Sequence, residues 1–163
     1  MNVEQRAARV RALFLDVDGT LTDGRIYLFP SGVVRAFHTL DGYGLRLLIK
    51  RQILVAIITA AAGDGIGERA KQLGIDEVHV GVEDKLAVMQ TILVKHSVSV
   101  EQAAFMGDDL PDLTAMQHAG FAIAPKTAVA AVLDTAHYVP SLPAGAGAVR
   151  ELCDLIIAAQ EVT

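Results

Sequence analysis

The chain is predicted to fold as a doubly wound, Rossmann-like α/β domain: a parallel sheet with helices on both faces and a β-hairpin insertion after the first strand. Three observations predict this. Short strand-like runs at 12–15, 54–58, 77–80, 103–106 and 121–124 alternate with helix-patterned stretches. The hydrophobic share is 52% while aromatics contribute only 5% and Trp is absent, so the core must be built from Ala, Val, Leu and Ile. Such a core suits parallel strands buried on both faces between helices. Finally, the polar residues with chemical potential sit just beyond the strand ends.

Residues 1–9 are expected to form a frayed or helical lead-in. The first strand, Ala12-Leu13-Phe14-Leu15, stops at Asp16, and a turn begins at Gly19. Two β-rich runs, 25–29 and 33–38, surround Pro30-Ser31-Gly32 and read as a hairpin. Asp41 is expected to open a helix to about residue 51, with Leu45, Leu48 and Ile49 as its apolar face. The strand at 54–58 ends in Thr59. A surface helix over 63–73 is closed by Gly74, which can adopt the left-handed conformation that ends helices. A third strand at 77–80 precedes a helix over 84–96 with Lys85 in its first turn. The fourth strand ends in Gly107-Asp108-Asp109; a short helix over 111–118, a fifth strand and another short helix over 128–133 follow. Tyr138-Val139 is a candidate edge strand, 140–148 a Gly, Ala and Pro loop, and 149–161 a closing helix. There is no internal repeat and no interdomain linker, so residues 1–163 are expected to be a single domain.

Net charge is −5 and no basic run is present, which argues against nucleic-acid binding. The single cysteine, Cys153, allows no intrachain disulfide and fits a reducing cytoplasm. The polar amino terminus lacks the apolar core of a signal peptide, and no apolar stretch reaches membrane-spanning length. A cytoplasmic protein is expected. The mean hydropathy of +0.40 hints at apolar surface buried between subunits.

Asp16 and Asp18 are two nearby carboxylates that repel each other unless a cation or shared proton offsets them. No local Arg or Lys partner is evident in the sequence, which favours a hard divalent cation with oxygen ligands, most naturally Mg²⁺. Parallel strands place their carboxyl ends on one edge of the sheet. Asp16, Asp18, Thr59, Lys85, Asp108, Asp109 and Asp112 should therefore converge. Acids, a hydroxyl and one ammonium are the inventory of Mg²⁺-assisted phosphoryl transfer, in which a carboxylate can attack phosphorus.

The motifs D-x-D-G-T-L-T-D at Asp16 to Asp23, Thr59, Lys85 and G-D-D-x-x-D at Gly107 to Asp112 resemble, in order and spacing, those of the haloacid dehalogenase superfamily. More narrowly, D-G-Y-G at Asp41 to Gly44, the hairpin, G-D-D-L-P-D-L and G-A-V-R-E-L-C-D-L-I at Gly147 to Ile156 resemble its 3-deoxy-D-manno-octulosonate 8-phosphate phosphatase family. The resemblance implies a capless phosphatase acting on a small phosphorylated sugar acid in lipopolysaccharide biosynthesis. It also implies a homotetramer in which hairpin and tail help close a neighbour's site. By the same resemblance Asp16 is the nucleophile and Asp18 the acid and base, its backbone carbonyl binding Mg²⁺. Asp108 is the second carboxylate ligand; Asp109 ligates through water or holds Lys85; Thr59 and Lys85 hold phosphoryl oxygens. Asp112 stands behind the metal or caps a helix.

One departure stands out. The family follows its motif Thr with Gly-Arg, where this chain has Ala60-Ala61-Ala62. Ala supplies no donor for a substrate carboxylate or phosphate, so the substrate is the open point, with Arg69, Lys126 and, from a neighbour's tail, Arg150 as replacement cations. The rival readings are a phosphatase for a different sugar-acid phosphate, a non-catalytic or repurposed homologue, and a signalling receiver domain. The receiver is disfavoured because its phosphorylated Asp follows the third strand. The histidines read as surface or packing residues, His38 being the one near the site. Cys153 falls on the apolar stripe of the last helix and reads as core. Gly145 and Gly147 are candidates for a phosphate cradle or a flexible tail.

Overall fold

The computed structural model describes residues 1–162. Seven strands and seven α-helices follow one another as α1 (Val3–Ala8), β1 (Ala12–Leu15), β2 (Tyr27–Phe29), β3 (Gly32–Val34), α2 (Thr39–Lys50), β4 (Leu54–Ile58), α3 (Asp64–Leu73), β5 (Glu77–His79), α4 (Lys85–His96), β6 (Ala103–Met106), α5 (Leu110–His118), β7 (Phe121–Ile123), α6 (Ala130–Thr135) and α7 (Ala148–Glu161). A 3₁₀ turn at Val100–Gln102 leads into β6.

Five strands form a parallel sheet in the order β5-β4-β1-β6-β7, and β2 and β3 form a separate antiparallel hairpin. The central strand is β1, whose Leu15 lies level with Ile57 of β4 and Met106 of β6. That register brings Asp16, Thr59 and Asp108 to the same edge, each just beyond its strand. The reversal of strand order beside β1 is where open α/β sheets bind ligands.

Alternation along the strands divides the core into two layers. Leu13, Leu15, Val55, Ile57, Ala104 and Met106 pack toward residues of α2, α3 and α7, such as Leu45, Ile66 and Leu152. Ala12, Phe14, Ala56, Ile58 and Phe105 pack toward residues of α4, α5 and α6, such as Met89, Met116 and Val132. The Phe14 and Phe105 rings stack with centroids 6.4 Å apart. Truncating either fully buried ring to Ala would cost about 3 to 5 kcal/mol.

Several boundaries differ from expectation. Helix α2 starts at Thr39, and Asp41 is buried inside its first turn instead of capping it. The Asp41 carboxylate accepts the Arg150 backbone N–H at 2.8 Å and so caps the first turn of α7 from another element. The positive end of α7 competes successfully for this acid. Tyr138 makes only an isolated bridge to Ile123, because its hydroxyl donates to Glu151 (2.8 Å) and the chain turns away. The hairpin strands shrink to three residues each, and α6 lies two residues later than expected. No helix among the described residues is long and apolar enough to cross a membrane.

Candidate active site

The site is assembled from loops that follow β1, β4, β5 and β6. The Asp16 N–H donates to the Met106 carbonyl, continuing the ladder one residue beyond β1 and fixing the carboxylate at the sheet edge. Gly19 then turns with φ 84°, and a Cβ there would fall on the Asp108 carboxylate. Gly107 faces the same constraint: a Cβ would collide with Asp112. The two glycines therefore allow the β1 and β6 loops to close around their acids.

Lys85 lies at the centre. Its side chain is 3% exposed, and its Nζ donates to Asp16 Oδ1 at 2.7 Å and to Asp112 Oδ1 at 2.5 Å. It reaches this point because Asp84 caps α4, accepting the Ala87 N–H at 3.0 Å, and so aims the first helical residue inward. The other oxygen of Asp112 accepts the N–H groups of Asp108 (3.0 Å) and Asp109 (3.3 Å). Asp109 instead caps α5, accepting the Leu110 N–H at 2.7 Å. The expectation that Asp109 holds Lys85 is thus corrected: Asp112 does so, because α5 carries it one turn inward while Asp109 remains at the exposed cap.

Burial and the Asp112 charge push the Asp16 carboxyl up, an effect that the adjoining Lys85 partly offsets. Burial depresses the Lys85 ammonium, but the two carboxylates more than restore it, for a net rise. Asp108 is raised to about 7 by burial and by the charges of Asp16, Asp112 and Asp109. One ammonium among these acids leaves an excess of negative charge. Asp16, Asp108 and Asp112 present oxygens all within 4.8 Å of one another, a hard-donor set that fits a divalent cation. Both Asp112 oxygens are already engaged, which leaves Asp16 and Asp108 as the better ligands of the three.

Thr59 is buried beside them; its Oγ1 accepts the Ala61 N–H at 3.1 Å. Asp16, Asp18, Thr59, Lys85, Asp108, Asp109 and Asp112 all line one cleft of about 160 Å³, together with Ala60, Ala61 and Pro111. The Asp18 carboxylate has a cationic partner of its own. Arg35, just after β3, grips it with Nε (2.7 Å) and Nη2 (3.0 Å). The expectation that the acid pair lacks a local Arg or Lys partner is corrected by Arg35 on Asp18, while Lys85, expected to converge from further along the chain, pairs with Asp16. Arg35 is the one Asp, Glu, Lys or Arg between Arg25 and Asp41. A solitary charge in an otherwise apolar ribbon was the signal available in the sequence.

Within the one chain, the other cations considered stay outside this cleft. Arg69 donates to the His38 carbonyl (3.5 Å) and lies over Phe37; Lys126 donates to the Ser141 carbonyl; Arg150 pairs with Asp154 and lies over Tyr43. Cys153 is buried in the core, as expected. His38 lies beside Asp41, its Nδ1 3.8 Å from Oδ2. Gly145 lets the 140–147 loop approach the backbone of Thr22 and Asp23 closely.

No family model matches the chain. A Yersinia pestis protein named 3-deoxy-D-manno-octulosonate 8-phosphate phosphatase is 44% identical over 161 residues, covering 98% of this chain and 86% of the relative. A solved Yersinia pestis structure of that name matches with TM-score 0.95 and 44% identity, over 98% of this chain and 86% of the other. The Moraxella catarrhalis phosphatase of that name, solved with magnesium ion, phosphate ion and KDO, matches with TM-score 0.94 and 37% identity, over 97% and 91% of the two chains. With its parallel sheet and convergent acids, the chain belongs to the 3-deoxy-D-manno-octulosonate 8-phosphate phosphatase family of the haloacid dehalogenase superfamily.

Proposed function

We propose that this chain is a Mg²⁺-dependent phosphomonoester hydrolase acting on a small phosphorylated sugar acid, 3-deoxy-D-manno-octulosonate 8-phosphate being the first substrate to test. One observation carries the reading: a buried Asp16 held by Lys85, with Asp108 and Thr59 in the same cleft. An Asp16 oxygen attacks phosphorus, the bond from phosphorus to the sugar oxygen breaks, and Asp18 gives that oxygen its proton. The Asp18 carboxylate then takes a proton from water, whose oxygen attacks the aspartyl-phosphate, releasing phosphate and restoring Asp16. Lys85 and the Thr59 hydroxyl hold phosphoryl oxygens, and Asp112 keeps Lys85 in place. Mg²⁺, held by the carboxylates of Asp16 and Asp108 and the Asp18 carbonyl, with Asp109 and Asp112 behind them, would supply Lewis-acid stabilisation of transferring charge.

The test is phosphate release from a panel of sugar-acid phosphates with Mg²⁺, wild type against Asp16→Asn. An amide is a poor nucleophile, so the variant should lose about a thousandfold or more while melting as a folded protein. Retention of a tenth of the activity would remove Asp16 from the nucleophile's role. The alanine run at 60–62 keeps open a related sugar-acid phosphate as the substrate, which the same panel decides.

The reading takes residues 1–163 as one phosphatase domain working in the cytoplasm, where the Cys153 thiol stays reduced, in lipopolysaccharide biosynthesis. It takes the assembly as a homotetramer. The hairpin supports this, since Leu28 is 74% exposed and Ile26, Tyr27, Phe29 and Val34 are exposed beside it. A lone two-stranded ribbon with that much apolar surface needs a partner. Light scattering that gives a monomer at micromolar concentration would overturn the assembly.

A further inference from the structure

Arg35 carries an inference that rests on the phosphatase reading and extends it to substrate selection. We propose that Arg35 is the residue that recognises the substrate's carboxylate: it pairs with Asp18 and passes to the carboxylate of a sugar-acid phosphate when one binds. Among the described residues, only Lys85 and Arg35 form ion pairs with carboxylates of the cleft. Lys85 is committed to Asp16 and Asp112. Of these two, Arg35, which holds a single carboxylate, is therefore the one that can pass to a second anionic group on the substrate.

Its placement suits the task. The hairpin before it is exposed, yet the Arg35 side chain is only 9% exposed and pairs with Asp18, which lines the cleft. Its Nη1 lies 3.7 Å from the position a Cβ would take at Gly63, so the guanidinium reaches the loop in which Ala60, Ala61 and Ala62 offer no side-chain donor. It also lines a groove with Phe37, Glu68 and Arg69.

The Asp18 contact gives the choice its energetic basis. Both Asp18 oxygens are engaged by the guanidinium fork. Asp18 can therefore meet a leaving oxygen with its full acid–base capacity only after the fork lets go. Exchanging one carboxylate for another preserves a bidentate, charge-assisted pair. A sugar phosphate without a carboxylate offers no such replacement on its sugar and meets a latched Asp18. The arrangement thus selects phosphomonoesters that carry a carboxylate.

The experiment compares steady-state kinetics with saturating Mg²⁺ on 3-deoxy-D-manno-octulosonate 8-phosphate and on arabinose 5-phosphate, which lacks the carboxylate. Arg35→Gln should raise KM for the sugar acid about tenfold to a hundredfold, the loss expected of a charge-assisted pair. The same variant should raise kcat/KM on arabinose 5-phosphate severalfold, because Asp18 is unlatched. Arg35→Lys, which keeps the charge and the buried stem, should show an intermediate KM and reads the same split if the Gln variant does not fold. A parallel fall on both substrates, the mark of a structural role, would overturn the proposal, as would no change on either. Wild type inert toward every phosphomonoester would overturn the phosphatase reading, and this proposal with it.

Discussion

The sheet carries two buried clusters of opposite charge balance. At the carboxyl end of β1 and β6, Asp16, Asp108 and Asp112 share one ammonium, Lys85. At the start of the edge strand β5, the single carboxylate of Glu77 meets three basic side chains: Lys95 at 2.6 Å, His96 at 2.8 Å and His79 at 3.0 Å. The hydrogen bonds from His96, Lys95 and His79 hold the Glu77 carboxyl down to about 2, whereas Asp108 is pushed up to about 7. The difference separates structural from functional charge. Glu77 is satisfied by its own chain and ties β5 to the end of α4. The acid-rich cluster is left incomplete, and an incomplete buried charge set is where a cation or an anion-bearing reactant is needed to finish it.

Within the acid-rich end, Asp18 stands apart from the cluster because it faces Arg35. Asp18→Asn should slow turnover about a hundredfold to ten-thousandfold, the usual contribution of a general acid and base. Mg²⁺ affinity measured by calorimetry should barely change, since the backbone carbonyl remains. A collapse of Mg²⁺ binding would place the Asp18 side chain among the metal ligands.

The two lysines offer a direct way to break the comparison. Lys85→Met leaves two buried carboxylates unpaired and should cost about 3 to 5 kcal/mol in metal-free protein. Lys95 is 65% exposed, and Glu77 keeps both histidines without it, so Lys95→Met should cost under about 1 kcal/mol. Chemical denaturation in EDTA reads both values. Equal losses would mean that the clusters do not differ as described.

A smaller and sharper contrast lies in the pH dependence. Asp108 binds its proton more tightly in the folded metal-free protein than in the unfolded chain, so this site loses stability as pH rises from about 4 to about 7. Glu77 has the opposite sign: its contribution is full above about 4.5 and is lost as pH falls toward about 2. Without metal, Asp108→Asn should raise the melting temperature by a few degrees at pH 8, and saturating Mg²⁺ should no longer stabilise it. Glu77→Gln should lower the melting temperature at pH 7 and matter little only near pH 2. Parallel pH curves for the two variants would contradict the opposite signs.

The chain's own patterning determined a good deal. The runs at Leu54–Ile58 and Ala103–Met106 form strands with the expected limits, because a short apolar run between turn signals has few other ways to be buried. The acids and the hydroxyl that follow such runs must then gather at one edge of a parallel sheet, so Asp16, Thr59, Lys85 and Asp108 were legible as a set. Partner choice was not. Asp112 rather than Asp109 holds Lys85, Arg35 grips Asp18, and Asp41 caps α7 instead of its own helix. These contacts span 17 to 109 positions in the chain. They are decided by differences of a few ångströms in how loops and helix ends settle around the finished sheet. Hydrophobic periodicity records which face of an element is buried, but not which of several nearby charges a long side chain will meet.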